Sequence, residues 1–228
     1  AGSLINGLIS DGYDPSRIVA SDTNPAALEA MARRTGVRTT LDNGVAADAD
    51  VVVLAVKPQM LQGVAREIAP VVQERRPLVI SIAAGIREDA LEDWLGRGVA
   101  LVRTMPNTPA MIGAGATVLH AGAGVTDAQR DSAESILRAV GLTRWVEDEG
   151  LLDAVTALSG SGPAYLFLVM EAMEQAAVGL GIPLETARLL TLQTALGAAR
   201  MAIESDEEPA TLRRRVTSPG GTTERAVA

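Results

Sequence analysis

The sequence predicts an α/β protein. A parallel-sheet domain covers residues 1–148, with its first strand missing, and an all-helical domain covers residues 149–228. Three observations predict this. Short apolar runs such as Asp50–Val56 (DVVVLAV) and Leu78–Ala83 read as strands buried in a parallel sheet. They alternate with helical segments, the pattern of βαβ units. From Leu151 onward the alternation stops and only helical patterns remain.

Taken in order, Ala1–Leu8 is amphipathic and helical. Arg17–Ser21 is a short β-rich run ending at Asp22. Pro25–Arg34 is a helix and Val37–Thr40 a short strand. The strand Asp50–Val56 leads into a helix over Pro58–Val72 with proline in its first turn. Leu78–Ala83 is followed by Gly85, a helix over Arg87–Leu95 and a strand over Val99–Thr104. Met105–Gly115 (MPNTPAMIGAG) is a Pro/Gly loop. Thr117–His120 is a strand, Thr126–Val140 a helix capped by Thr126, and Thr143–Val146 the last strand. Helices then cover Leu151–Leu158, Pro163–Leu180, Pro183–Ile203 and Pro209–Val216. The two long ones are rich in Ala, Leu and Met, and apolar over more than one stripe. A piece of this size cannot hide that surface alone, so it is expected to pack on a second copy.

The final stretch, Pro209–Ala228, is an Arg-rich helical turn that breaks at Ser218-Pro219-Gly220-Gly221 and restarts at Thr222 with a Thr cap. Such a turn aims backbone N–H groups at one spot beside a helix start. It suits a small anion, carboxylate or phosphate; an ordinary Gly-rich connection is the alternative. Ser159-Gly160-Ser161-Gly162-Pro163 is a second turn of this kind, with a plain cap as its alternative.

Composition narrows the function classes. Net charge is −8 and the pI about 4.8. Nothing here attracts nucleic acid or an anionic membrane surface, and Arg213–Arg215 is too short a run to change that. The absence of cysteine excludes a disulfide frame and thiolate chemistry. With His120 the single histidine, no metal site is expected. The apolar run near Ala164–Met170 is shorter than a membrane span, no signal-peptide pattern is visible, and a cytoplasmic protein is expected.

In open α/β sheets ligands bind at the carboxyl ends of the strands. Here those ends are Asp22-Thr23-Asn24, Val56-Lys57-Pro58, Ala83-Ala84-Gly85 and Met105-Pro106-Asn107-Thr108. Asp22 sits where an acid takes the ribose hydroxyls of a dinucleotide; the alternative is a helix cap before Pro25. Ala1 fits the last, small position of a G-x-G-x-x-[GA] fingerprint, whose glycines are expected ahead of it. Lys57, the only lysine, suits a phosphate or ribose contact or a plain surface charge. His120 suits a core or surface role better than catalysis.

These pieces together resemble pyrroline-5-carboxylate reductase. The motifs are AVKPQ (Ala55–Gln59), SIAAG (Ser81–Gly85), MPNTP (Met105–Pro109) with DAVTALSGSGPAY (Asp153–Tyr165), and PATLRRRVTSPGGTTERAV (Pro209–Val227). The resemblance covers essentially the whole chain, and the last motif is the most specific. It implies a Rossmann-like domain for NADPH, with NADH as the alternative, and a helical domain that interlocks with a second subunit. It implies reduction of 1-pyrroline-5-carboxylate to L-proline, the last step of proline biosynthesis, and a homodimer, with a decamer as the larger assembly. Carried over by position, Ala1, Asp22, Asn43, Val56, Lys57 and Ala84 fall at the cofactor. Gly221, Thr222 and Thr223 fall at the substrate carboxylate and ring nitrogen, with Thr223 as the catalytic residue. Glu149 falls near the same substrate and Asp206 near its amine. Arg215 stands where some members carry a smaller residue that touches cofactor, so that role is not carried over.

The chemistry agrees with the resemblance. Reducing a ketone needs a proton donor beside the hydride path, usually Lys, His or Tyr. Leu151–Ala228 contains neither Lys nor His, and Tyr165 lies in an apolar run that suits packing. A protonated cyclic imine brings its own proton, so hydride transfer needs only positioning and charge placement. This disfavours a β-hydroxyacid dehydrogenase, which uses a helical-domain Lys. The rival from another class is a non-enzymatic NADPH-sensing oligomer, which would need no TSPGGTT turn.

Overall fold

The structure, a computed structural model, describes residues 1–227. Two compact units divide it, Ala1–Pro163 and a second from Ala164 onward.

The first unit begins with α1 (Gly2–Ser10), a 3₁₀ turn at Pro15–Arg17, β1 (Val19–Ser21), α2 (Pro25–Thr35), β2 (Arg38–Thr40) and α3 (Asn43–Ala47). It continues through β3 (Val51–Leu54), α4 (Pro58–Arg75), β4 (Leu78–Ser81), α5 (Glu88–Leu95) and β5 (Ala100–Met105). A 3₁₀ turn at Thr108–Ile112, β6 (Gly115–Ala121), α6 (Asp127–Arg138), β7 (Gly141–Trp145) and α7 (Leu151–Val155) complete it. β1 and β2 form a parallel pair of their own, and β3 to β7 form a five-stranded sheet in sequence order. That sheet is parallel except at β5–β6, which runs antiparallel with Arg103 opposite His120. The sheet is thus parallel as expected except for this one pair. The Pro/Gly loop between β5 and β6 holds only a 3₁₀ turn, too short for a crossover helix.

Both faces of the sheet are buried, which explains the unbroken apolar strands. On one face Val52, Leu54, Val79 and Leu101 meet Leu61, Ala65, Ile68 and Val72 of α4 and Leu91 and Leu95 of α5. On the other, Leu78, Ile80, Val102 and Leu119 meet Ala133 and Leu137 of α6. A leucine buried this way is worth about 2 kcal/mol over an exposed one. The packing division falls at Pro163, later than the expected 148/149, because α7 lies on β5 and β6. α3 was not expected; it is held by Asp42, whose carboxylate accepts from the Gly44 and Val45 amides.

The expected helix Leu151–Leu158 is α7 followed by a π turn at Thr156–Gly160, closed by Ser161 N–H to the Thr156 carbonyl at 2.8 Å. Asn107 ties it down: its amide donates to the Ser159 carbonyl at 3.1 Å and accepts from Ala116 N–H at 2.9 Å. Gly160 lies against Met105, where a Cβ would clash.

The later helices are α8 (Gly162–Gly179), α9 (Leu184–Glu204), α10 (Pro209–Arg215) and α11 (Thr222–Val227). Only Ala187 and Thr191 are buried on α8 and α9, while Phe167 is 63 % exposed and Leu189 68 %. Among the described residues this unit forms no buried hydrophobic cluster of its own. The continuous helical run Leu151–Gly179 is long and apolar enough, by length and composition, to cross a membrane. The expectation from Ala164–Met170 alone understated it, because interspersed Ala, Val and Met keep the whole helix apolar.

Candidate active site

Asp22 follows β1, exposed, at the carboxyl end of that strand. Its Oδ1 accepts from Asn24 N–H at 2.9 Å, and Asn24 caps α2 by accepting from Ala26 and Ala27. The cap before Pro25 is therefore Asn24, which leaves the second Asp22 oxygen free for a ribose. Ala1 stands at the start of α1 without a side-chain cap, and Gly2 follows it. An uncapped helix start beside an acid suits a dinucleotide's diphosphate and ribose.

Asn43 opens α3 beside β1. Its Oδ1 accepts from Ser21 Oγ at 2.9 Å and its Nδ2 donates to Glu67 Oε2 at 2.9 Å. Val56 packs on the core beyond the end of β3. Lys57 is exposed and begins α4 with extended backbone and no side-chain cap. Ala84 is exposed in the turn after β4, where Gly85 takes φ 75°. Both suit a strand-end contact.

Glu149 lies in the first unit at the head of α7. Its Oε1 accepts from Arg103 Nη1 at 2.6 Å and from Glu88 N–H, at the start of α5, at 2.6 Å. Arg103 is 4 % exposed and its Nε has no partner. Glu88 lies 3.7 Å from His120 Nε2, while His120 Nδ1 faces the Val146 carbonyl at 3.3 Å. Burial pushes the Glu88 carboxyl above its usual pKa and the neighbouring Glu149 adds to this, while His120 opposes it. In this arrangement the Glu88 carboxylate occupies the space that a Cβ on Gly122 would take. Sequence reasoning passed over Arg103 and Glu88, and it placed Asn107 at a strand end without the role of holding the π turn. The signal for Arg103 was a charge in the middle of an apolar strand.

In the second unit Gly220 takes φ 72° and Gly221 N–H closes the turn on the Ser218 carbonyl at 2.9 Å. Thr222 is already inside α11 and does not cap it. Gly220 N–H donates to Glu224 Oε2 at 2.7 Å, so this turn already holds a carboxylate. Thr222 and Thr223 are exposed beside it. Asp206 lies between α9 and α10, and Arg215 pairs with Glu207 at 2.6 Å.

A shallow cleft of about 270 Å³ lies between Asp50, Arg75, Arg76 and Ser132. It sits at the amino ends of β3 and β4, the end of the strands away from Val56, Lys57 and Ala84. Among the described residues no cluster of three or more metal-ligating side chains occurs.

Two family models match the chain: pyrroline-5-carboxylate reductase dimerisation over residues 149–228, and NADP oxidoreductase, coenzyme F420-dependent, over residues 1–85. Pyrroline-5-carboxylate reductase from Pseudomonas aeruginosa is 51 % identical over 228 residues, covering 100 % of this chain and 83 % of the relative. The chain belongs to the pyrroline-5-carboxylate reductase family. The family's reductase from Coxiella burnetii superposes with a TM-score of 0.93 at 50 % identity, covering 99 % of this chain and 84 % of the other. The Plasmodium falciparum reductase, with NADP bound, superposes with a TM-score of 0.87 at 28 % identity, covering 99 % and 83 %. The exposed apolar faces of α8 and α9 thus lie in the family's dimerisation domain.

Proposed function

We propose that the chain reduces the C=N bond of 1-pyrroline-5-carboxylate to give L-proline, the last step of proline biosynthesis. NADPH is the reductant, with NADH as the alternative. The observation that carries this reading is the Ser218–Thr223 turn, whose Gly220 N–H already binds a carboxylate oxygen at 2.7 Å. The substrate carries the same group.

Gly221, Thr222 and Thr223 hold the substrate carboxylate, and the Thr223 hydroxyl stands near the ring nitrogen. Glu149, whose Oε1 accepts from Arg103, is assigned as a further substrate contact. Ala1, Asp22, Asn43, Val56, Lys57 and Ala84 hold the cofactor, which supplies hydride when bound. The imine is reduced in its protonated form, so the residues position and screen charge and no side-chain acid is required. Residues 1–148 bind cofactor, and residues 149–228 pair two subunits and bind substrate. Such dimers assemble into a decamer, and the protein works in the cytoplasm.

The test follows absorbance of the reduced nicotinamide with the full-length protein. Oxidation that depends on 1-pyrroline-5-carboxylate is expected. Cofactor binding without turnover would favour the NADPH-sensing alternative. Turnover of a 3-hydroxy acid instead would favour the dehydrogenase.

A further inference from the structure

The amide of Asn43 is fixed by its neighbours. A carboxylate only accepts, so the bond to Glu67 identifies the donating end as Nδ2 and turns Oδ1 toward the Ser21 hydroxyl. Ser21 immediately precedes Asp22, and Asn43 is thereby anchored at the carboxyl end of β1 beside the acid that faces the ribose position. Asp22 is itself half committed, through Oδ1, to Asn24. The edge therefore offers an incoming ribose oxygen acceptors from Asp22 and Asn43, while one of the two Asn43 Nδ2 hydrogens is held by an acid from α4, which fixes the direction of the other. A 2′-hydroxyl can donate to such an edge. A 2′-phosphate has little to donate, brings negative charge and needs donors.

We infer that Glu67 sets the balance between the two cofactors by engaging the Asn43 amide, so that it restrains binding of the 2′-phosphorylated one. This rests on the nicotinamide-cofactor reading above. Glu67 is a positioning residue: it lies on the exposed side of α4 and acts through Asn43. Removing it releases the hydrogen that Nδ2 gives to Glu67 and lets the amide turn, so that Nδ2 can donate to the phosphate, a hydrogen bond to a charged group. Replacing it by Gln keeps an acceptor for Nδ2 and removes only an exposed charge.

The experiment measures Kd for NADPH and for NADH by nicotinamide fluorescence, without substrate, for wild type, Glu67→Ala, Glu67→Gln and Glu67→Ala combined with Asn43→Ala. Glu67→Ala is expected to shift the ratio of Kd values about tenfold or more toward NADPH. Glu67→Gln should shift it less than about threefold, the size of an exposed-charge effect. The double variant should lose the gain. An unmoved ratio in Glu67→Ala, or an equal gain in the double variant or in Glu67→Gln, overturns the inference. If wild type binds neither cofactor, the function reading fails instead.

Discussion

Thr223 and Asp22 carry the sharpest expectations at the residue scale. Thr223→Ala removes one hydroxyl beside the Gly220–Gly221 turn, so kcat/KM for 1-pyrroline-5-carboxylate should fall by about ten- to a few hundred-fold. Cofactor affinity should stay level; an equal loss there would put the turn at the wrong site. Asp22 keeps one oxygen free of Asn24. A 2′-phosphate beside it would meet a like charge worth about 1 kcal/mol. Asp22→Ser should therefore raise the NADPH-over-NADH ratio of kcat/KM by about fivefold, and no movement would mean that Asp22 does not face the ribose. Position relative to strand ends made Asp22, Lys57 and Ala84 legible in the sequence. It could not say that Asn24 caps α2, since Asp and Asn two residues apart in one turn offer the same chemistry. Nor could it find Arg103, Glu88 and Glu149 as a unit. Glu88 and Arg103 lie 61 and 46 residues from Glu149, and only the β5 register and the start of α5 bring them together.

Among the elements, the α/β alternation and the switch to helices after Leu151 were legible because apolar periodicity is local. The direction of β6 was not, because strand direction follows from the connection and not from the strand. The π turn was hidden too, since residues 156–160 keep a helical pattern while Asn107 holds the extra residue from outside. α6 carries a testable pH dependence. Glu134 on α6 accepts from Trp145 Nε1 at 2.9 Å and also from Arg138 and Thr143. These bonds, Trp145's foremost, hold its carboxyl below the usual value of 4.5. A depressed folded pKa contributes stability that is present above the unfolded value and lost as pH falls through the folded one. The Tm gap between wild type and Glu134→Gln should therefore be widest near neutral pH and shrink on acidification below about 4.5. A gap that stays constant to about pH 3 would show that these bonds do not distinguish the two protonation states.

For the whole molecule the deciding feature is the second unit. Leu180 and Ile203 are more than four-fifths exposed, and the long helices α8 and α9 bury only two side chains. Exposed apolar surface of that extent requires a partner. Sedimentation at micromolar concentration should show a dimer or a multiple of it, with an interface above about 2,000 Å² in total; a stable folded monomer would refute this. Pairing was legible in the sequence as helices apolar on more than one stripe. The second copy expected there agrees with the dimerisation-domain match over residues 149–228. The central claim is that this dimer reduces a cyclic imine without a side-chain acid. Quantifying L-proline formed against reduced cofactor consumed, with 1-pyrroline-5-carboxylate as sole acceptor, tests it most directly. One proline per cofactor oxidised is predicted; cofactor oxidation without proline, or no oxidation by a dimer that binds both ligands, would contradict it.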